Sequence, residues 1–192
     1  MKKIASIVSI GGWNQRLFTP DWVSANVFEM PAGESMNINL NDKQLTMSYS
    51  WKNIQFTATD KGIELISIDC TSESTKLIDK VYRHLLEMLP YTPVSAYGYN
   101  IILSLTKEEF NKTAVYSHVP FNSFDIYKSA SHSFSIFKDG STRTFEIRPN
   151  GSGAEIRCNF HFANNCAFPS EGTIFDIISA ELNTFLGYEF SL

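Results

Sequence analysis

Cysteine is scarce in this sequence, which has only Cys70, Cys158 and Cys166 among its 192 residues. An odd number of widely spaced cysteines excludes the disulfide framework typical of small secreted domains. The same pattern favours a reducing compartment, and we therefore expect a cytoplasmic protein.

Long hydrophobic runs are also missing. No apolar run approaches the roughly 18 residues that a membrane-spanning helix requires. The N-terminal segment begins with Lys2 and Lys3 and continues with apolar residues, as a signal peptide does, but Ser6 and Ser9 interrupt it and no convincing cleavage site follows. We expect no association with a membrane.

Clustered positive charge is absent too. The chain has 16 Lys and Arg residues against 20 Asp and Glu residues, and a net charge of −4. Arg143, Arg148 and Arg157 belong to the densest cationic stretch, where Glu146 and Glu155 alternate with them. Binding to the phosphate backbone depends on clustered Lys and Arg, so nucleic acid is not an expected partner.

Familiar catalytic and nucleotide-binding motifs are not found. There is no Gly-x-Ser-x-Gly elbow, and Gly151-Ser152-Gly153 lacks the third glycine of a dinucleotide-binding loop, because Ile156 occupies that position. Cys70 is the one cysteine to test for reactivity, because it lies just before a predicted helix N-terminus, where a thiol pKa can be lowered. The adjacent Asp69 opposes that effect. The sequence therefore favours a protein that is not an enzyme.

Metal ligands are few and badly spaced. Cys158, His161 and Cys166 resemble a ligand cluster, but residues three apart on a strand point to opposite faces of a sheet. Zinc needs its ligands to converge within about 2.0–2.3 Å. We expect neither a metal nor a cofactor.

Alternating hydrophobicity dominates the rest of the chain, in which aromatic residues make up 14%. The first ~70 residues alternate with the period of β-strands, and Asp60-Lys61-Gly62 and Asp139-Gly140 mark hairpin turns. Further strands are predicted over Tyr97–Leu105, around Ile156–Phe162, and at the C-terminus, where Tyr188, Phe190 and Leu192 alternate.

Two segments have helical spacing instead. Apolar residues from Leu77 to Leu89 fall on one helix face, and Pro90 ends the segment. The other face is predicted to be solvated, with Asp79 and Arg83 as a surface pair of the i, i+4 type. A second helix is predicted from an N-cap at Thr173 to Leu186, with Gly187 as its stop and Ile177 among its buried residues.

These patterns together predict an α+β fold. We expect a largely antiparallel sheet or incomplete barrel with two amphipathic helices packed on it, in a single compact domain over residues 1–192. Both helices follow a Ser-Glu-x-Thr sequence, and Gly98-Tyr99 and Gly187-Tyr188 open the strands that come after them. One hypothesis is that the chain consists of two pseudo-repeated halves, 1–112 and 113–192. The alternative is that helix capping and turn formation independently favour the same residues in both places.

One segment resembles a known pattern. Residues 89–100, Leu-Pro-Tyr-Thr-Pro-Val-Ser-Ala-Tyr-Gly-Tyr-Asn, are similar to a Leu-Pro-x-Thr-Pro-x-x-Ala-x-Gly-x-Asn stretch of small uncharacterised bacterial proteins. The resemblance covers about a dozen residues. It implies a bacterial or phage origin and carries no activity with it.

The segment from Tyr116 to Tyr127 is rich in aromatic residues but fits neither period. Long connections that keep large aromatic residues are often binding loops. We therefore predict that Phe121, Phe124 and Tyr127 contact a partner, although a loop folded over the core would have the same composition. The functional hypothesis is a non-enzymatic cytoplasmic protein that binds another protein or itself. A carrier of a small apolar ligand and an enzyme whose residues converge only in three dimensions are the alternatives.

Overall fold

A computed structural model describes residues 1–41, 46–117, 131–150, 153–163 and 170–187. It confirms the α+β class, with one open antiparallel sheet of nine strands. The strands are β1 (Lys2–Gly11), β2 (Asn37–Asn41), β3 (Thr46–Trp51), β4 (Ile54–Ala58), β5 (Gly62–Ser67), β6 (Val94–Thr106), β7 (His132–Lys138), β8 (Ser141–Asn150) and β9 (Gly153–Ala163). The helices are α1 (Pro20–Asn26), α2 (Ser72–Met88), α3 (Lys107–Asn111) and α4 (Ile174–Leu186).

The strands follow the order β2-β3-β4-β5-β1-β6-β9-β8-β7 across the sheet. The first strand of the chain is therefore at the centre, where β1 pairs with β5 on one side and with β6 on the other. The turns predicted at residues 60–62 and 139–140 do connect β4 to β5 and β7 to β8. Strands β2 and β7 form the two edges.

The core lies on one face of the sheet. Alternate side chains of the central strands, such as Ile7, Leu65, Tyr99 and Phe160, are at most 1% exposed and pack in one cluster with the helices. Burying an apolar side chain of this size stabilises the fold by about 1.5–3 kcal/mol. In the part of the chain that the structure describes, no helix covers the opposite face.

The two predicted amphipathic helices are α2 and α4. Residues close to their ends in sequence determine where each helix begins or stops. Thr71 caps α2 by accepting a hydrogen bond from the Ser74 backbone N–H at 3.2 Å, and Ser74 returns the bond in a capping box. Gly187 ends α4 with a left-handed φ of 60°, which glycine adopts without strain. Thr173 is the N-cap residue of α4, as predicted, but its side chain makes no capping hydrogen bond, because its hydroxyl donates to the Ser170 carbonyl oxygen instead. Ile177, predicted to be buried, is 41% exposed.

Asp79 is the largest departure from the sequence prediction. The side chain was expected on the solvated face of α2, but it is 0% exposed. Its carboxylate accepts hydrogen bonds from the Tyr99 hydroxyl at 2.5 Å, from Arg83 Nε at 2.9 Å and from the Gly172 backbone N–H at 2.8 Å. This one carboxylate therefore joins α2 to the central strand β6 and to the turn that precedes α4.

The order of elements is similar in the first and second parts of the described chain. β1 is followed by a helical segment, a meander whose last strand β5 returns beside β1, and helix α2. β6 is followed in the same way by a helical segment, a meander whose last strand β9 returns beside β6, and α4. In this order the second series of elements begins with β6 at Val94, and β6 pairs with β1 of the first series as well as with β9 of its own.

None of the helices in the described part of the chain is long and apolar enough to cross a lipid bilayer. The predicted terminal strand with Tyr188, Phe190 and Leu192 lies outside the described residues.

Replacing Asp79 with Ala should destabilise the protein strongly. The change leaves the Tyr99 hydroxyl and the Arg83 guanidinium without their shared acceptor, and breaking a buried charged pair typically costs about 3–5 kcal/mol. The measurement is the free energy of unfolding by urea. Glu73→Ala, at an exposed position of the same helix, is the matched control. A loss below about 1 kcal/mol for Asp79→Ala, the average effect of an ordinary point mutation, would contradict the role given to this carboxylate.

Candidate functional site

The predicted partner-binding residues Phe121, Phe124 and Tyr127 lie outside the described residues. The structure therefore neither supports nor contradicts their role. In sequence they come shortly before strand β7, which the structure does describe.

Strand β7 has an unusual surface for a soluble sheet edge. Phe134 is 49% exposed, Ile136 is 50% exposed and Phe137 is 77% exposed. Phe134 lies opposite Phe145 of β8, on the face that carries the helices, whereas Phe137 lies opposite Thr142 on the other face. Both faces of the edge strand therefore present large apolar side chains to solvent. Exposed apolar patches of this kind usually mark an interaction site.

In the described part of the chain, β7 is the last strand at this end of the sheet. Within the described residues β7 pairs only with β8, so one row of its backbone N–H and C=O groups is left outside the sheet. Edge strands are usually protected from further pairing by proline or by charged side chains. β7 contains no proline, and its one lysine, Lys138, has its Nζ atom 3.3 Å from the Glu181 carboxylate of α4.

Ion pairs of the buried Arg143 hold the β7–β8 hairpin in place. Arg143 of β8 is 4% exposed and donates hydrogen bonds to Glu181 of α4 and, at 2.8 Å, to Asp139 of the hairpin turn. Its guanidinium carbon is 4.6 Å from the centre of the Phe160 ring. An arginine in this position satisfies its donors and packs its flat face at the same time. The hairpin is therefore fixed to both the helix and the neighbouring strand.

Aromatic contacts fix the helix-facing side of β7. The ring of Phe185 on α4 stacks on Phe145 with centroids 4.7 Å apart and meets Phe134 edge to face at 5.9 Å. Phe134 is thus held from one side while half of its surface stays accessible. A partner strand would meet a surface that needs little rearrangement, which lowers the cost of binding.

Sequence reasoning identified the β7–β8 hairpin but not this surface. Phe134 and Ile136 have the alternation of an ordinary strand, and Phe137 was not singled out. Alternation does not reveal whether a strand lies at the centre or at the edge of a sheet. The absence of proline and of acidic residues from His132–Lys138 was the one local signal available.

The cysteines that the structure describes are buried and free. Cys70 is 1% exposed, and burial raises the pKa of its thiol to about 11. The nearby Asp69 carboxylate raises it further, and Lys3 opposes the shift. Burial also raises the pKa of the Cys158 thiol. Both cysteines therefore behave as small core residues.

Cys158 and His161 lie on opposite faces of β9, as their spacing predicts, since Cys158 is 1% exposed and faces the core while His161 is exposed. Cys166 lies outside the described residues. The structure brings together no group of three potential metal ligands within the ranges that it describes.

A comparison with models of known protein families finds no match for this chain, and a comparison with curated proteins also finds none. Any functional argument must therefore come from the residues themselves.

The buried thiols should react very slowly in the native protein. In a Cys166→Ser variant, labelling of Cys70 and Cys158 by a thiol-specific disulfide reagent at pH 8 should be more than ~100-fold slower than in urea, because a thiol with a raised pKa holds little thiolate. The rate is followed by absorbance, and free glutathione serves as the control. Rapid labelling of one thiol in the folded state would instead identify a reactive cysteine.

Proposed function

We propose that this is a non-enzymatic, protein-binding protein that pairs with a strand of another protein molecule through the outer edge of β7. The observation that supports the proposal best is that β7 ends the sheet within the described residues and has Phe134, Ile136 and Phe137 exposed along it. Strand addition is a common mode of recognition, in which backbone hydrogen bonds provide affinity and alternate side chains provide specificity.

The sequence of β7 fits a second copy of the chain. An antiparallel pair centred on Ser135 would bring Phe134 of each copy opposite Ile136 of the other. Such a contact is isologous, as expected for the two-fold dimers that dominate among homo-oligomers. Apolar cross-strand pairs of this kind each stabilise a sheet by about 0.2–1 kcal/mol, in addition to the apolar area that they bury.

We also propose a cytoplasmic location and a bacterial or phage origin. The first is supported by the small number of cysteines, of which Cys70 and Cys158 are free. The second is supported by the segment over residues 89–100. The alternative of an apolar ligand carrier has weaker support, because the apolar depression beside Leu103, Leu105 and Leu186 has a volume of 170 Å³, below the roughly 300–1,000 Å³ of most ligand pockets.

An Ile136→Lys variant should lose this association. A lysine in the centre of an edge strand adds a charge that a partner strand would have to bury, which is how natural edges avoid pairing. In sedimentation velocity over a wide range of protein concentrations, the wild type should form dimers and the variant should remain a monomer. Because Ile136 is half exposed, the melting temperature should change little.

Ile38→Lys is the matched control, since Ile38 is 45% exposed on β2 at the opposite edge. It should dimerise as the wild type does. A labelled peptide of sequence His-Ser-Phe-Ser-Ile-Phe-Lys should also bind to the wild type and not to Ile136→Lys. A wild type that stays monomeric and does not bind this peptide would contradict the proposal.

A further inference from the structure

The face of β7 that points away from the helices carries one large side chain among small ones. Phe137 is 77% exposed on this face, and the exposed Ser133 and Ser135 are its neighbours there. In the proposed dimer, Phe134 and Ile136 pair on the opposite, helix-facing side. The large exposed ring of Phe137 therefore needs a contact of its own.

The direction of the β7 backbone shows which residues would bond to an added strand. Asp139 and Gly140 form the two-residue turn of the hairpin and have positive φ values of 49° and 74°. In such a turn the flanking residues are hydrogen-bonded to each other, so Lys138 directs its carbonyl oxygen to β8. Successive residues of a strand direct their backbone groups to opposite sides. The odd-numbered residues from Ser133 to Phe137 therefore direct theirs away from β8, towards the place of an added strand.

A two-fold pair of β7 strands can be centred on Ser135 or on a neighbouring residue. When the pair is centred on Ser135, Phe137 lies directly opposite Ser133 of the other copy and diagonal to its Ser135. Both kinds of cross-strand neighbour are within reach of an aromatic ring. Each Phe137 ring therefore covers two small residues, and the two rings lie at opposite ends of the paired region.

The neighbouring registers fit less well. A pair centred on Ile136 places Lys138 opposite Phe134 of the other copy, so that an aromatic ring crowds an ammonium group lying 3.3 Å from a carboxylate of α4. A pair centred on Phe134 places Phe137 opposite Ser131, which precedes the first residue of β7. Either shift also shortens the paired region, which loses backbone hydrogen bonds.

We propose that Phe137 is the specificity-determining residue of the β7 contact, because its ring packs on Ser133 and Ser135 of the added strand. The inference rests on the proposed function and extends it by stating what β7 selects. The added strand must have a small residue directly opposite Phe137 and a second one diagonal to it. A second copy of β7 meets both requirements along its whole length when the pair is centred on Ser135.

The register is tested by disulfide cross-linking in a Cys166→Ser background. Ser135→Cys should form a covalent dimer when it is oxidised with diamide at pH 8, because the two cysteines face each other. The Cα atoms of a hydrogen-bonded pair are about 5.5 Å apart, which suits a disulfide. Ser133→Cys is the matched control on the same face of the same strand. It should cross-link much more slowly, because Phe137 and not Cys lies opposite it. Non-reducing gel electrophoresis measures both rates.

The role of the ring is tested by sedimentation velocity. Phe137→Ser should weaken the dimer about tenfold or more, because each dimer loses two buried rings. The double variant Phe137→Ser/Ser133→Phe should restore association, since each pair again combines one large and one small side chain. Leu40→Ser, at a position of β2 that is 62% exposed, is the matched control and should dimerise as the wild type does. The melting temperatures of all these variants should change little.

Two outcomes would overturn this inference and leave the proposed function intact. In the first, Ser133→Cys cross-links as fast as Ser135→Cys. In the second, Phe137→Ser dimerises as tightly as the wild type while Ile136→Lys remains a monomer. A wild type that stays monomeric would instead overturn the proposed function and this inference together.

Discussion

The buried carboxylate of Asp79 is the interaction on which the arrangement of the layers depends. An isolated charge inside a protein is costly, and here three donors from separate parts of the chain surround it: Arg83, the Tyr99 hydroxyl and the Gly172 backbone N–H. Burial and the neighbouring carboxylate both raise the pKa of the Tyr99 hydroxyl, which therefore stays a donor. Since each donor comes from a different element, the carboxylate is satisfied only when α2, β6 and the start of α4 are all in place.

This arrangement determines where functional surfaces can form. The helices use one face of the sheet for the core, so polar side chains such as Ser6 and Asn100 lie on the opposite face, where Asn100 Nδ2 donates to Ser6 Oγ. At the end of the sheet, α4 contacts β8 through the Arg143–Glu181 ion pair and the Phe145–Phe185 stacking, and β7 lies beyond β8 as the last strand that the structure describes. The polar face and the terminal strand β7 both follow from covering a wide sheet from one side with the few helices that the structure describes.

Local patterns were enough to predict the class of the fold. The alternation around the turns at residues 60–62 and 139–140, and the stop at Gly187, depend on neighbours in sequence and are therefore readable from sequence. Asp79 shows the limit of such patterns. A charged residue between Lys76 and Lys80 resembles a solvated position, and only the approach of Tyr99 and Gly172 makes it a core residue.

The exposed apolar strand β7 was beyond prediction for the same reason. Ile136 resembles any strand residue until the strand order shows that β7 is at an edge. The aromatic composition around Phe121, Phe124 and Tyr127 can be recognised from the sequence alone. The role of these residues in contacting a partner remains a prediction.

The central position of β1 has a consequence for how the chain folds. β1 is made before β6, and Ser6 pairs with Asn100, 94 residues further along the chain, so one side of β1 has no partner until β6 has left the ribosome. Pairings this distant in sequence slow folding and prolong the exposure of unpaired strands. A nascent chain that stops before Val94 would present β1, with its alternating Ile and Val residues, as a new sheet edge. Unpaired strand edges of this kind make folding intermediates prone to aggregation.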